Sequence, residues 1–163
     1  MCTSNIMNTV SDFFLKNVEI VPADDCEYLL CCTGNTNQRG WGRNGANGAE
    51  CTFTCEEQEL SGTILWDSIS ALVLHLGSGS IYSGAILDDE TCAGNGGSGS
   101  CSLTIDETST WIVSGNSVMT SLTNKGRIMD TDGLSVTIQS PDGQTLVHGD
   151  SPYIITVNDF ITD

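Results

Sequence analysis

The stretch Leu60-Ser-Gly-Thr-Ile-Leu65 is answered by Tyr82-Ser-Gly-Ala-Ile-Leu87, with the two Ser-Gly pairs 22 residues apart. A self-similar unit of that length is the mark of a chain that stacks one supersecondary unit on the next, because a single unit cannot bury its own apolar face. A further Ser-Gly at 114, within Trp111-Ile-Val-Ser-Gly-Asn-Ser-Val118, follows after 31 residues, which is one period plus nine. The extra residues fall in 88–101: Leu72, Leu74 and Leu76 follow the first Ser-Gly at once, whereas Leu103 and Ile105 wait until after that segment. The segment 88–101 is therefore an inserted loop.

Local composition agrees with a β architecture. No sustained 3.6-residue apolar period of ten or more residues occurs, and 18 glycines with abundant Ser and Thr favour turns. Short strand-like runs fall at 13–20, 27–32, 51–55, 62–67, 71–76, 80–87, 102–105, 110–113, 118–122, 134–138, 145–148 and 153–157, nearly all bounded by Gly, Asn, Asp or Ser. Alternate residues of such strands point into the stack, which predicts a core of Phe53, Leu72, Leu74, Leu76, Leu103, Ile105, Val136 and Ile138. The pair Leu103 and Ile105 is expected to recur as Val136 and Ile138, then as Ile155 and Val157. The expected fold is all-β: one single-stranded right-handed parallel β-helix, a β-solenoid of about five coils, occupying 1–163. A two-sheet sandwich is the structural alternative. The irregular spacing and the near absence of Asn-Gly hairpins favour the solenoid, since Asn44-Gly and Asn47-Gly lie in one crossover loop.

Charge excludes one class of function. Five Lys plus Arg against 21 Asp plus Glu give a formal charge of −16, a field that repels nucleic-acid phosphates and anionic membrane surfaces. No run of about 18 apolar residues is present to cross a bilayer as a helix. Eight cysteines suit an oxidising, extracellular setting better than zinc, because only Cys51-x3-Cys55 has a zinc-like spacing. Cys92 and Cys101 flank the glycine-rich loop 93–100 and are expected to pair. Cys51 and Cys55 lie too far apart on one strand to pair with each other, so their partners are sought among Cys26, Cys31 and Cys32. Residues 1–10 have neither the basic nor the apolar region of a signal peptide. Export then implies a leader outside this sequence, or a chain that is part of a longer surface protein.

The runs 40–48 (Gly-Trp-Gly-Arg-Asn-Gly-Ala-Asn-Gly), 58–76, 79–86 and 109–124 together resemble the C-terminal part of large secreted, adhesin-like right-handed β-helix proteins of microbes, non-enzymatic members of the pectate-lyase-like superfamily. The resemblance covers about residues 13–160. It implies a secreted or cell-surface structural module. The cysteine content departs from that pattern, since such proteins are commonly poor in cysteine.

Several residues could carry chemistry. Aromatic side chains stack on sugar rings, which makes Trp41, Trp66, Tyr82 and Trp111 candidates for glycan contact. A lyase would need a base near acidic groups, and Arg127 with Asp130 and Asp132 is the only cluster of those types; Arg39 and Arg43 sit in the glycine-rich loop, and Lys16 and Lys125 stand apart. A glycosidase would need two carboxylates roughly 5–9.5 Å apart, and Asp67 and Asp88 occupy nearly corresponding positions of successive repeats. Asp130-Thr-Asp-Gly133 offers alternate carboxylates to a calcium ion at Asp130 and Asp132. No other cofactor is implied. His75 alternates with core leucines and is expected to face outward, while His148 follows another strand. An ice-binding threonine array is broken, because Thr52 and Thr54 are followed in the next repeat by Val73 and His75. These features favour a non-enzymatic, adhesin-like module whose partners are surface glycans or neighbouring protein modules. A carbohydrate-binding module, or a polysaccharide lyase or glycosidase, is the alternative.

Overall fold

A computed structural model of the chain describes residues 2–22, 24, 26–37 and 40–162. Arg39 lies outside the described residues. Among them the regular structure is β-strand, with one 3-10 turn at Glu90–Cys92 and no α-helix.

The strands fall into three sheets, and through the middle of the chain they visit first, second and third in turn. Strand β1 (Cys2–Ile6) opens the first sheet and β2 (Val10–Lys16) the second, and residues 17–27 then carry the chain back to β3 (Tyr28–Cys32) in the first sheet. From there β4 (Glu50–Glu56) joins the second sheet and β5 (Glu59–Ser61) begins the third. The next circuit is β6 (Thr63–Trp66), β7 (Ala71–Gly77) and β8 (Ile81–Gly84), and the one after is β9 (Ile86–Asp88), β10 (Ser100–Ile105) and β11 (Thr110–Val113). Then come β12 (Ser117–Asn124) in the second sheet and β13 (Arg127–Asp130) in the third. The second sheet ends with β14 (Thr137–Gln139), β15 (Thr145–Val147) and β16 (Ile154–Thr162), in the spatial order β12, β16, β14, β15. Every strand pairing is parallel except the short β14–β15 hairpin.

Strict register stacks like on like. One inward column of the second sheet runs Phe13, Phe53, Leu74, Leu103, Leu122 and Phe160. A second runs Leu15, Cys55, Leu76 and Ile105. Strands β4, β7 and β10 alternate buried and half-buried residues along their length, the period-two pattern of a sheet with one covered face. All eight expected core residues are buried. Their grouping differs from expectation in one respect. Leu103 stacks on Leu122, whereas Ile138 stacks on Ile155 and through it on Ser117, and Val157 stacks on Met119. The cause is β12, whose buried positions 117, 119 and 122 change phase at Thr120 and Ser121. Thr120 Oγ1 there accepts Cys101 N–H at 3.0 Å and donates to Cys101 O at 2.7 Å. The front of β12 thus lies beside β9, where Ser117 Oγ accepts Ile86 N–H, and its back half continues the second sheet. The repeat also reads differently in space: Ser61 pairs with Ser83, but Tyr82 pairs with Trp111, so the Ser-Gly at 114 is not the register equivalent of the one at 83.

Where the chain turns from sheet to sheet, buried serines take up N–H groups of the preceding circuit. Ser70 Oγ accepts Ala49 N–H, Ser80 Oγ accepts Gln58 N–H and Ser109 Oγ accepts Ser80 N–H, at 3.1, 3.3 and 3.1 Å. All three side chains are buried, and no buried side-chain N or O among the described residues lacks a partner. A small hydroxyl fits these corners and removes the penalty of an orphaned donor.

Leu103 is enclosed between Leu74 and Leu122, so Leu103→Ala leaves a cavity that neighbouring circuits cannot close without losing register. The substitution is expected to lower unfolding free energy by roughly 2–5 kcal/mol, whereas Leu146→Ala, at an exposed position of β15, changes it by less than about 0.5 kcal/mol. Urea unfolding of the two variants beside the parent chain measures both.

Candidate functional site

The loops joining the first sheet to the second leave the stack at one corner in three successive circuits: 33–49, 67–70 and 89–99. Each is tied to the next by a polar side chain or carbonyl. Asp67 is fully buried, and its Oδ2 accepts Gly34 N–H at 2.6 Å while Oδ1 accepts Ile69 N–H at 3.3 Å. Glu90 grips the preceding loop, accepting Ser68 N–H at 2.7 Å and the Ser68 hydroxyl at 2.5 Å. Gly97 and Gly99 donate to Ser68 Oγ and O at 3.1 and 2.6 Å, and Gly45 N–H reaches Cys92 O at 3.0 Å. The two glycine-rich segments singled out in the sequence therefore meet. Glycine is required at 99, where a Cβ would lie 2.2 Å from Ser70 O. Between these loops lies a cleft of about 440 Å³ whose walls include Gly48, Glu50, Ile69 and Ser98.

This corner carries two carboxyls, Asp88 and Glu90, that shift each other's ionisation in opposite directions. Asp88 is pushed up from 3.8 to about 7 by partial burial first, then by its hydrogen bond to Glu90 and by the negative charge of Glu90, Asp67 and Asp89. Glu90 moves the other way: burial opposes its ionisation, and the hydrogen bonds from Asp88 and from Ser68 outweigh that effect. The glycosidase pairing of Asp67 with Asp88 does not form. Register sets Asp88 opposite Trp66, one residue short of Asp67, and both Asp67 oxygens are taken by backbone donors.

Of the four aromatic candidates only Trp41 is exposed, at 42%, on the loop 33–49, where Asn35 Nδ2 holds its carbonyl at 2.7 Å. The other three are corrected to core residues. Trp66 is buried and its Nε1–H donates to Val118 O at 2.9 Å; Trp111 donates to Gly84 O at 3.0 Å; Tyr82 donates its hydroxyl toward Ala85 O and Gly62 O at 2.8 and 3.0 Å. Tyr82 and Trp111 stack at 6.2 Å between centroids, so each ring lies in the interior with its polar atom satisfied and no face left for a sugar.

The Arg127 cluster does not converge either. Arg127 is exposed at the start of β13 and Asp130 is buried at its end, about 10 Å away along an extended strand. Asp130 closes a turn: its Oδ1 accepts Asp132 and Leu134 N–H at 2.9 and 2.8 Å, and the Ser151 hydroxyl, foremost among its hydrogen-bond donors, helps hold the carboxyl below its ordinary value. Asp132 is exposed at the same turn. Among the described residues no group of three or more His, Cys, Asp or Glu side chains is arranged to hold a metal ion. His75 faces outward, half-exposed between Leu74 and Leu76, and His148 is exposed. Thr52 and Thr54 pair with Val73 and His75, which interrupts any threonine array. Arg43 is exposed and Lys16 bonds Glu56 and Glu57 at 3.1 and 3.3 Å. Cys26, Cys32, Cys51, Cys55, Cys92 and Cys101 are in the thiol form in this structure, and the expected Cys92–Cys101 bond is not present: Cys92 sits in the 3-10 turn and Cys101 points into the core from β10. Cys31 is buried on the face of β3 opposite Cys32.

Sequence reasoning missed a second opening. Residues 17–22 run past the edge of β5 as a strap, and the Gln58 amide bonds both Val18 N–H and Val18 O, at 2.9 and 2.6 Å, in place of a strand. A groove of about 920 Å³ lies between them, with Ile20, Cys26, Glu59 and Leu60 in its walls. The only signal in the chain was the absence of a Ser-Gly repeat before Pro22.

Comparison with known proteins finds no matching family model, no matching curated protein and no matching solved structure, so nothing there links the chain to the pectate-lyase-like superfamily. No helix of the described residues is long and apolar enough to cross a membrane.

The raised Asp88 carboxyl has a measurable consequence. In the folded chain Asp88 keeps a proton that the unfolded chain releases near pH 3.8, so this group makes stability fall as pH rises from about 4 to about 7. The lowered Glu90 acts oppositely, adding stability that is present above its unfolded value of 4.5 and lost as pH falls through its folded one. Asp88→Asn is expected to flatten the decline of the thermal midpoint between pH 5 and 7, read by calorimetry across about that range. An unchanged slope would mean that Asp88 is not held protonated in the folded chain.

Proposed function

We propose that the chain is a single-stranded right-handed β-helix of about five coils that serves as an extracellular or cell-surface, adhesin-like structural module, and that its first-to-second-sheet corner contacts glycans. The observation that carries this reading is the convergence of loops from three successive circuits at one corner of an otherwise regular stack. Such a division of labour, rigid rungs below and variable loops above, is how scaffolds present binding surfaces. Right-handedness follows from the strong bias of parallel crossovers. Trp41 supplies an exposed ring for stacking, and the Asp88–Glu90 pair offers hydroxyl groups both a donor and an acceptor near neutral pH. A charge of −16 disfavours acidic polysaccharides and nucleic acids and favours neutral sugars or neighbouring protein modules. Eight cysteines support the extracellular setting. A hydrolase or lyase on the same framework is the weaker reading, since Asp67 is locked to backbone donors and Arg127 stands apart from Asp130.

A glycan array probed with the whole chain tests the proposal. Binding to neutral glycans is expected, and Trp41→Ala should weaken it by roughly two- to tenfold, the worth of one aromatic stack, with an unchanged thermal midpoint. Absence of binding by the parent chain would remove the glycan contact from this account. Turnover of a polysaccharide would overturn its non-enzymatic part.

A further inference from the structure

Cys32 is the last residue of β3 and Cys51 the second of β4, so the excursion 33–49 leaves beside one thiol and returns beside the other. Both side chains belong to the core cluster, Cys32 fully buried and Cys51 3% exposed. Each thiol is the leading influence on the other's ionisation, raising Cys32 and lowering Cys51, as neighbouring side chains do. Cys32 Sγ also lies 3.7 Å from Ala71 O, and Ala71 pairs with Glu50 on one side and Ser100 on the other, the chain neighbours of Cys51 and Cys101, which sets Cys32 over the start of the second sheet. The other cysteines of the second sheet are poorly placed for Cys51, and Cys101 acts on Cys32 only at longer range. Cys101 shares the column of Cys51, but Leu72 stands between them in register, a separation of about 9.5 Å. Cys55 is four residues further along β4, about 13 Å away. Cys31, next to Cys32, pairs with Leu65 on the opposite face of the sheet.

We propose that Cys32 and Cys51 form a disulfide that closes the base of the 33–49 loop. The two thiols lose two protons and two electrons as one S–S bond forms, and a low-molecular-weight disulfide such as glutathione disulfide is cleaved to two thiols. Exchange passes through a mixed disulfide on one cysteine, which the other then resolves. Burial of both sulfurs means that the bond forms while the corner is open, during folding or local unfolding, and is shielded once the circuits have stacked. The loop that it closes carries Trp41 and donates Gly34 N–H to Asp67, so the bond would anchor the proposed glycan-facing corner at its root. The pairing itself rests on the placement of the two sulfurs and holds whatever the corner binds.

The whole chain is refolded in a glutathione and glutathione disulfide buffer, blocked with an alkylating reagent under denaturing conditions and mapped by digestion after Glu and after Arg. A linked peptide joining Cys32 to Cys51 is expected, with fragmentation separating Cys32 from Cys31. Reduction should lower the thermal midpoint of the parent chain by roughly 5–10 °C and leave that of Cys32→Ala/Cys51→Ala unchanged. Recovery of Cys32 and Cys51 as alkylated thiols, or a link from either to any other cysteine, would overturn the proposal. Because the mapping uses the parent chain, it decides the matter even if the double variant does not fold.

Discussion

A parallel strand cannot satisfy its backbone within its own circuit; each N–H and C=O must find the strand one circuit before or after. Everything else in this protein is subordinate to that pairing. Because neighbours are joined in register, residues separated by a whole circuit share a column: Phe53, Leu74, Leu103 and Leu122 lie one above another, and each covers the apolar surface that the last left open. The same rule extends to the corners, where the chain must turn and ladder bonds are lost. There Ser70, Ser80 and Ser109 each accept an N–H from the circuit before, so the polar corner is stacked as strictly as the apolar wall.

The corner loops are placed by that constraint. A stack of fixed register tolerates added chain only where the chain already leaves a sheet, and here the additions gather where the first sheet gives way to the second. The carboxylates at that corner serve first as caps. Asp67 and Glu90 each hold an N–H of the preceding loop, which converts two glycine-rich segments into one ordered surface. Only what these bonds leave free, Trp41 and the protonated edge of Asp88, is available to a partner.

Most of the framework was legible in the sequence because alternation and repetition are local signals. The run Leu72, Leu74, Leu76 declares an inward face by itself, and Leu60 to Leu65 echoed at 82–87 declares the circuit. Legibility failed where a non-local adjustment decides. The phase change at Thr120 and Ser121 re-registers the last strands, so Val136 and Ile138 carry the right polarity and stack on the wrong neighbours for a simple repeat. Candidate sites suffered from a related ambiguity. Trp66, Tyr82 and Trp111 have the residue type of a sugar platform and the position of a core, and only the carbonyls that receive their polar hydrogens separate the two. Asp67 and Asp88 looked equivalent by sequence, but a one-residue offset puts the first inside and leaves the second at the edge.

The central claim is the in-register parallel stack, and nuclear Overhauser contacts in protein with labelled methyl groups test it most directly. The account predicts methyl contacts from Leu74 to Leu103 and from Leu103 to Leu122, together with Ile138 to Ile155, and no close Hα–Hα pairs between β7 and β10. Strong Hα–Hα contacts across those two strands, the signature of antiparallel neighbours, or Leu103 methyls touching Ile138 in place of Leu122, would contradict it.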